Sequence, residues 1–266
     1  MTDAWRSIDV QRVSDGRRST IEDRAAAESP LEIRLNGQAF AMTMRTPGAD
    51  RDLVAGFLLS EQVITSAADI TTISHAGDES AIDVTLGDRV SDTLARRLAE
   101  RRQVTTTSAC GICGRQSADA VKTDAPPITA SWGVSAGVVS RLPDLLRDRQ
   151  AVFDHTGGLH AAGIFTTDGT LVEIAEDVGR HNAVDKVIGR LLLRGALPLS
   201  AHILCVSGRA SFELVQKAVL GGIPMLVAVS APSTMAIDIA REYGLTLAGF
   251  VRGPSFNLYA HAHRVV

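Results

Sequence analysis

The chain has 266 residues, enough to bury a substantial core as one large domain or two small ones. Hydrophobic residues at 45% and charged residues at 21% sit near globular norms, and a formal net charge of -3 gives no electrostatic reason to expect nucleic acid or an anionic membrane. Aromatic residues at 4% argue against base-stacking platforms, no apolar run approaches the roughly 20 residues that span a bilayer, and the start, MTDAWRSIDVQRVSDGRRST, lacks the apolar core of a secretory signal, so a soluble cytoplasmic protein is expected.

Residues 1–26 are polar, carry both signs of charge and show no sustained periodicity, and a flexible N-terminal arm is expected there. PLEIRLNGQAFAMTMRTP then alternates apolar and polar residues about Asn36-Gly37, which predicts a hairpin. RDLVAGFLLSEQVI repeats apolar residues at Leu53, Val54, Phe57, Leu58 and Ile64, one face of a helix. AIDVTL reads as a strand. SDTLARRLAERR reads as a polar helix whose Arg96, Arg97, Arg101 and Arg102 form a solvated face leading into TTTSACGICGRQS. These elements make an N-terminal α+β subdomain over 27–125, ending in the Cys-x-x-Cys loop. KTDAPPITASWG is rich in turn-formers and marks the boundary to a second domain, 126–266.

The second domain has a clearer rhythm. AAGIFTTDGTLVEIA is a hairpin turning at Asp168-Gly169, and NAVDKVIGRLLLRG a helix with Asn182 at its N-cap and Gly195 beyond its end. Strand HILCVS, helix SFELVQKAVLGG, strand PMLVAVS, helix STMAIDIAREYG and strand LTLAGFV follow, so parallel strands joined by right-handed crossovers are expected in a layered α/β domain. The loops leaving those strands, SGRAS at 207–211, SAPST at 230–234 and FVRGPS at 250–255, should meet at one sheet edge, where open α/β sheets bind ligands. Ser207, Gly208, Arg209 and Arg252 suit a phosphate there, two of the loops opening helices and the arginines offering bidentate donors. Gly and Ser after a strand are also ordinary turn chemistry. No GxGxxG or P-loop pattern specifies a dinucleotide or ATP.

Three cysteines cannot build a disulfide framework, and Cys205, inside HILCVSG, reads as a buried hydrophobe. Cys110 and Cys113 admit four chemistries. Structural zinc wants a second pair, which is missing; catalytic zinc of the deaminase type wants an upstream H-x-E, and His75 in SHAGDES lacks it. Disulfide exchange fits the spacing without the usual βαβ setting. A persulfide carrier fits as well, since Gly111 and Gly114 leave the thiols uncovered and Arg115 favours a thiolate. EDVGRHNAVDK gathers Glu176, Asp177, Arg180, His181, Asp185 and Lys186, either as an ion-paired helix start or with Arg180 and His181 beside a bound anion; His160 in TGGLHAAG either packs or lines the pocket.

Together SACGICG, TGGLHAAGIF, EDVGRHNAVDKVIG, SGRASFELVQKA, SAPSTMAIDIA and LTLAGFVRG resemble the FdhD/NarQ family of formate dehydrogenase accessory sulfurtransferases, over about residues 28–259. The resemblance implies a protein that takes sulfur from a cysteine desulfurase as a cysteine persulfide. It would pass that sulfur to the molybdenum bis(molybdopterin guanine dinucleotide) cofactor of the formate dehydrogenase catalytic subunit. It implies Cys110 as the persulfide-forming residue and Cys113 as its secondary partner. Phe250, Val251, Arg252, Gly253, Pro254 and Ser255 would bind the cofactor through its guanine nucleotide moiety. Phe256 and Tyr259 follow, able to stack on guanine or to pack. The implied fold is a C-terminal three-layer α/β/α, cytidine-deaminase-like domain without zinc, in a homodimer. A zinc-dependent deaminase-like hydrolase and a non-catalytic molybdenum cofactor chaperone are the alternatives.

Overall fold

The structure is a computed structural model and describes residues 4–77, 79–88, 90 and 125–266. Residues 5–26, expected to be a flexible arm, instead form an antiparallel ribbon of β1 (Trp5–Ser14) and β2 (Arg17–Ala26), closed by Asp15 and Gly16 at φ 51° and 74°. That Asp-Gly pair is the hairpin signal, masked because the flanking strands show no regular apolar–polar alternation and present no buried face. The ribbon is tied down at its base, where the Arg24 guanidinium lies 4.5 Å from the Trp5 ring and 2.9 Å from His155 Nδ1.

The Asn36-Gly37 hairpin forms as expected. β3 (Ser29–Leu35) and β4 (Gln38–Arg45) turn through positive φ at both residues, and the Asn36 side chain accepts the Leu86 N–H. α1 (Asp50–Ser60) follows, and then β5 (Ile70–His75), a strand not expected from the sequence, and β6 (Ala81–Leu86). The first sheet has the order β4-β3-β6-β5, with β3 and β6 parallel. The expected helix in SDTLARRLAERR and the loop TTTSACGICGRQS, with Cys110, Cys113 and Arg115, lie outside the described residues.

From residue 125 an extended segment crosses the second half, the Ile128 N–H bonding the Tyr243 carbonyl and Trp132 Nε1 the Ser200 carbonyl. Two helices then appear that the sequence reading passed over, α2 (Ala136–Arg147) and the short α3 (Ala151–Thr156). The expected hairpin is β7 (His160–Thr166) and β8 (Leu171–Asp177), turning through Gly169 at φ 89°. α4 spans Arg180–Leu193, with Gly179 at its N-cap and Gly195 past its end at φ 70°. The helix therefore starts two residues before the expected Asn182 cap, and Arg180 and His181 lie in its first turn. Alternation continues with β9 (His202–Val206), α5 (Phe212–Leu220), β10 (Met225–Ala228), α6 (Thr234–Glu242) and β11 (Thr246–Arg252), closing with β12 (Ser255–Ala260).

The second sheet has the order β12-β11-β10-β9-β7-β8, with β9, β10 and β11 parallel and the outer strands antiparallel. Its period-2 alternation serves two cores. Ala161, Phe165, Ile203, Cys205, Met225 and Val227 face α2, whose Val139, Leu142 and Leu146 are buried against them. Ala162, Ile164, Leu204, Val206 and Leu226 face the opposite way, into a cluster shared with α4, α5 and α6. That second cluster continues through Leu53, Val54 and Leu58 of α1 to Leu31, Ile33 and Ile82 of the first sheet. α1 is thus sandwiched between the first sheet and α4, and the fold is α/β with an N-terminal α+β part seated on a C-terminal α/β part.

Candidate functional site

Because β9, β10 and β11 are parallel, the chain leaves all three at one edge, and hydrogen bonds knit the three departing loops together. The Ala210 N–H donates to the Ala231 carbonyl, the Ser233 N–H to the Ala210 carbonyl and the Phe250 N–H to the Ser230 carbonyl. Arg252 Nε donates to the Val229 carbonyl at 3.3 Å. β7 runs antiparallel to β9, so its first residue, His160, joins the same edge.

A cavity of about 580 Å³ opens there, on the sheet face that α2 covers. This lies within the size range of small-molecule sites. One side is built by the loops, with Ser207, Val229, Val251, Arg252 and Gly253, and by His160. The other is built by the end of α2 and by α3, with Pro143, Leu146, Arg147, Gln150 and Phe153. Ser207 Oγ accepts the Ala161 N–H at 2.8 Å, which fixes the start of the β9–α5 loop. Burial, then the neighbouring charges of Arg180 and His181, push the His160 imidazole below its ordinary pKa, so it is neutral near pH 7. Gly208 packs beneath it: a Cβ there would sit 3.5 Å from His160 Nδ1 and 3.9 Å from Arg180 Cδ. Arg180 Nε is buried without a hydrogen-bond partner.

Of the residues expected from sequence to bind the cofactor, Ser207, Val251, Arg252 and Gly253 line this cavity. Gly208 and Arg180 stand behind His160. Phe250 sits in a β-bulge at φ 54°, 44% exposed, while Pro254, Ser255 and Arg209 are exposed outside the cavity lining. His181 turns to the other face. Its Nε2 lies 2.7 Å from Glu213 Oε2 and 3.2 Å from Ser211 Oγ, and the Ser211 hydroxyl donates to the same carboxylate. Burial raises the Glu213 pKa, but the His181 and Ser211 bonds outweigh it and hold the carboxyl below its ordinary value. Both partners meet one ring nitrogen, so this is a closed triangle and lacks the relay geometry of a nucleophile triad. Phe256 packs into the α2-side core and Tyr259 into the opposite one. Cys205 is fully buried, its thiol pushed far above the ordinary range by burial. Among the described residues, no three His, Cys, Asp or Glu side chains are grouped to hold a metal ion.

Most of the charge in EDVGRHNAVDK is structural. Asp177, fully buried, lies 2.7 Å from Lys186 Nζ and accepts the Thr46 and Gly179 N–H groups and the Asn182 amide. Asp185 binds Lys217 Nζ at 2.7 Å through both oxygens and also accepts the Ser60 hydroxyl. Glu176 accepts the Val152 and Phe153 N–H groups at 3.0 and 2.8 Å, which seats α3 on the sheet edge. The sequence reading missed the cavity's α2–α3 wall. Its signal was present in Ser135 as N-cap followed by Val139, Leu142 and Leu146 at helical spacing, and Pro143 inside the helix masked it.

Comparison with known proteins places these features in context. A model described as the FdhD/NarQ family matches residues 26–266. A Streptomyces coelicolor protein named sulfur carrier protein FdhD is 52% identical, with 96% of this chain and 94% of that one covered. Proteins of the same name from Sulfolobus acidocaldarius and Mycobacterium tuberculosis are 45% and 44% identical, with 98% and 96% of this chain, and the same shares of theirs, covered. A crystal structure from Desulfotalea psychrophila, assigned as a formate dehydrogenase accessory protein, superposes with a TM-score of 0.77 at 23% identity, covering 99% of this chain and 100% of that one. That last likeness concerns the fold alone.

Proposed function

The chain belongs to the FdhD/NarQ family, and on that premise we propose that it is a cytoplasmic sulfurtransferase that activates formate dehydrogenase. In this reading the Cys110 thiolate attacks the terminal sulfur of a cysteine desulfurase persulfide, a new S–S bond forms, and the desulfurase thiolate leaves. The S–S bond then breaks with Cys110 leaving as the thiolate, and the terminal sulfur, reduced to sulfide by two electrons from a thiol reductant, passes to the molybdenum bis(molybdopterin guanine dinucleotide) cofactor, the substrate of the second half-reaction, on its way to the formate dehydrogenase catalytic subunit. Cys113 assists as a resolving or orienting thiol. The protein works as a homodimer.

The observation that carries the reading is similarity to sulfur carrier proteins at 44–52% identity along nearly the whole chain. The cavity supports its cofactor half. Arg252, the Gly253 backbone and Ser207 face one volume at the carboxyl edge of parallel strands, a placement suited to the pyrophosphate of a guanine dinucleotide. The order of the second sheet, an antiparallel hairpin beside three parallel strands with α4, α5 and α6 on one face and α2 on the other, supports a cytidine-deaminase-like C-terminal domain.

Intact mass spectrometry after incubation with a cysteine desulfurase and cysteine tests the proposal. Wild type should gain at least one sulfur atom, removable by reductant, and Cys110→Ala should gain none and fail to activate formate dehydrogenase. Full activation by Cys110→Ala would end the assignment. Cys113→Ala should retain sulfur loading with slower transfer.

A further inference from the structure

We propose that Gln150 is the residue that reads the base of the nucleotide, in a subsite shared with Phe153 at the α2–α3 end of the cavity; this rests on the guanine-nucleotide reading of that cavity. Gln150 is only 3% exposed, yet its Nε2 is buried without any hydrogen-bond partner. A buried amide left unpaired costs about 1–3 kcal/mol, so this group calls for a partner, which a ligand in the cavity can supply. Gln150 also lines the cavity, so the side chain that carries this amide borders the space a bound molecule would fill.

The two walls of the cavity differ in chemistry. The loop wall carries Arg252, Ser207, His160 and the Gly253 backbone, suited to phosphate oxygens. The opposite wall carries Leu146, Pro143 and the Phe153 ring, with the Arg147 guanidinium 4.5 Å over that ring and held by Asp154 at 2.5 Å. Apolar surface with an aromatic face and one unpaired amide is the composition of a base-binding slot. A side-chain amide places an NH2 donor group beside a carbonyl acceptor. Against guanine, Nε2 donates to O6 while Oε1 accepts N1–H, and the stacking surface is the Phe153 face that Arg147 does not cover. Glu176, which accepts the Phe153 and Val152 N–H groups, is the positioning residue that keeps this wall in place.

Binding by the full chain decides the point, using displacement of a fluorescent GDP derivative by GDP and by inorganic pyrophosphate. In Gln150→Leu, GDP should bind at least about tenfold more weakly while pyrophosphate competes as in wild type. In Arg252→Ala, GDP and pyrophosphate should weaken together. Thermal melting of the unliganded variants separates damage to the fold from loss of contact, and Phe153→Leu should repeat the base-selective loss if Gln150→Leu proves unstable. Unchanged GDP affinity in a folded Gln150→Leu would overturn the base-reading role, as would an equal loss of GDP and pyrophosphate. If wild type binds GDP and pyrophosphate does not compete, the division of the cavity into two ends is wrong. Absence of GDP binding to wild type would remove the nucleotide reading of the cavity and this proposal with it, leaving the persulfide on Cys110 to stand or fall by mass.

Discussion

Gly56 of α1 and Gly189 of α4 face each other where the two helix backbones touch. A Cβ on Gly56 would lie 2.0 Å from the Asp185 carbonyl oxygen, and one on Gly189 would lie 1.9 Å from that of Asp52. This contact seats the N-terminal part of the molecule on the helix whose first residue, Arg180, stands behind His160 at the site. Alanine is favoured over glycine inside a helix by about 1 kcal/mol. Here the clash is with backbone that cannot rotate away, and overpacking typically costs about 1–3 kcal/mol, occasionally more. Gly56→Ala and Gly189→Ala should therefore lower the urea midpoint, whereas Gly137→Ala in α2, whose Cβ would meet only the Ser135 hydroxyl at 4.0 Å, should leave it unchanged or raise it. Equal behaviour of all three would show that the helix contact is looser than described.

The buried pair of Asp177 and Lys186 gives a second test. Asp177 is 0% and Lys186 3% exposed, and the carboxylate accepts three further N–H donors. Removing one partner leaves the other charge buried and uncompensated, a loss of about 3–5 kcal/mol. Lys186→Met and Asp177→Asn should each destabilise strongly, and the double variant should lose less than the sum of the two. A double-mutant cycle in urea measures this, and strict additivity would mean that the two charges do not depend on each other.

How much of this could be read from sequence depended on the range of the interaction. Asn36-Gly37 and Asp168-Gly169 were legible because turn chemistry is local, and the sheet edge followed from the alternation of β9, α5, β10, α6 and β11. α2 was hidden by Pro143, and the β1–β2 ribbon by the absence of a buried face. The charges in EDVGRHNAVDK read equally well as an ion-paired helix start or as an anion site because their partners are remote. Thr46 lies 131 positions before Asp177, and Lys217 lies 32 after Asp185, separations that no spacing rule registers. Gln150 was invisible for the complementary reason: what distinguishes it is a missing partner inside a fold.

His160 links pH to both stability and binding. Its folded pKa lies below the ordinary 6.5, chiefly through burial and then through Arg180 and His181. In the unfolded chain it titrates at the ordinary value, so just below that pH the unfolded state binds more protons and stability falls as the solution is acidified. The contribution is complete above 6.5 and is lost as pH falls through the lower folded value. His202, depressed by burial alone, adds in the same direction. Thermal melting between roughly pH 7 and pH 5.5 should show a smaller decline in His160→Asn than in wild type, and the smallest in His160→Asn/His202→Asn. An anion bound beside His160 reverses the balance, since a negative charge favours the imidazolium. GDP binding at about pH 6 should accordingly take up a proton, measured as a dependence of the calorimetric enthalpy on the ionisation enthalpy of the buffer. Proton uptake that persists unchanged in His160→Asn would place the phosphates away from this histidine.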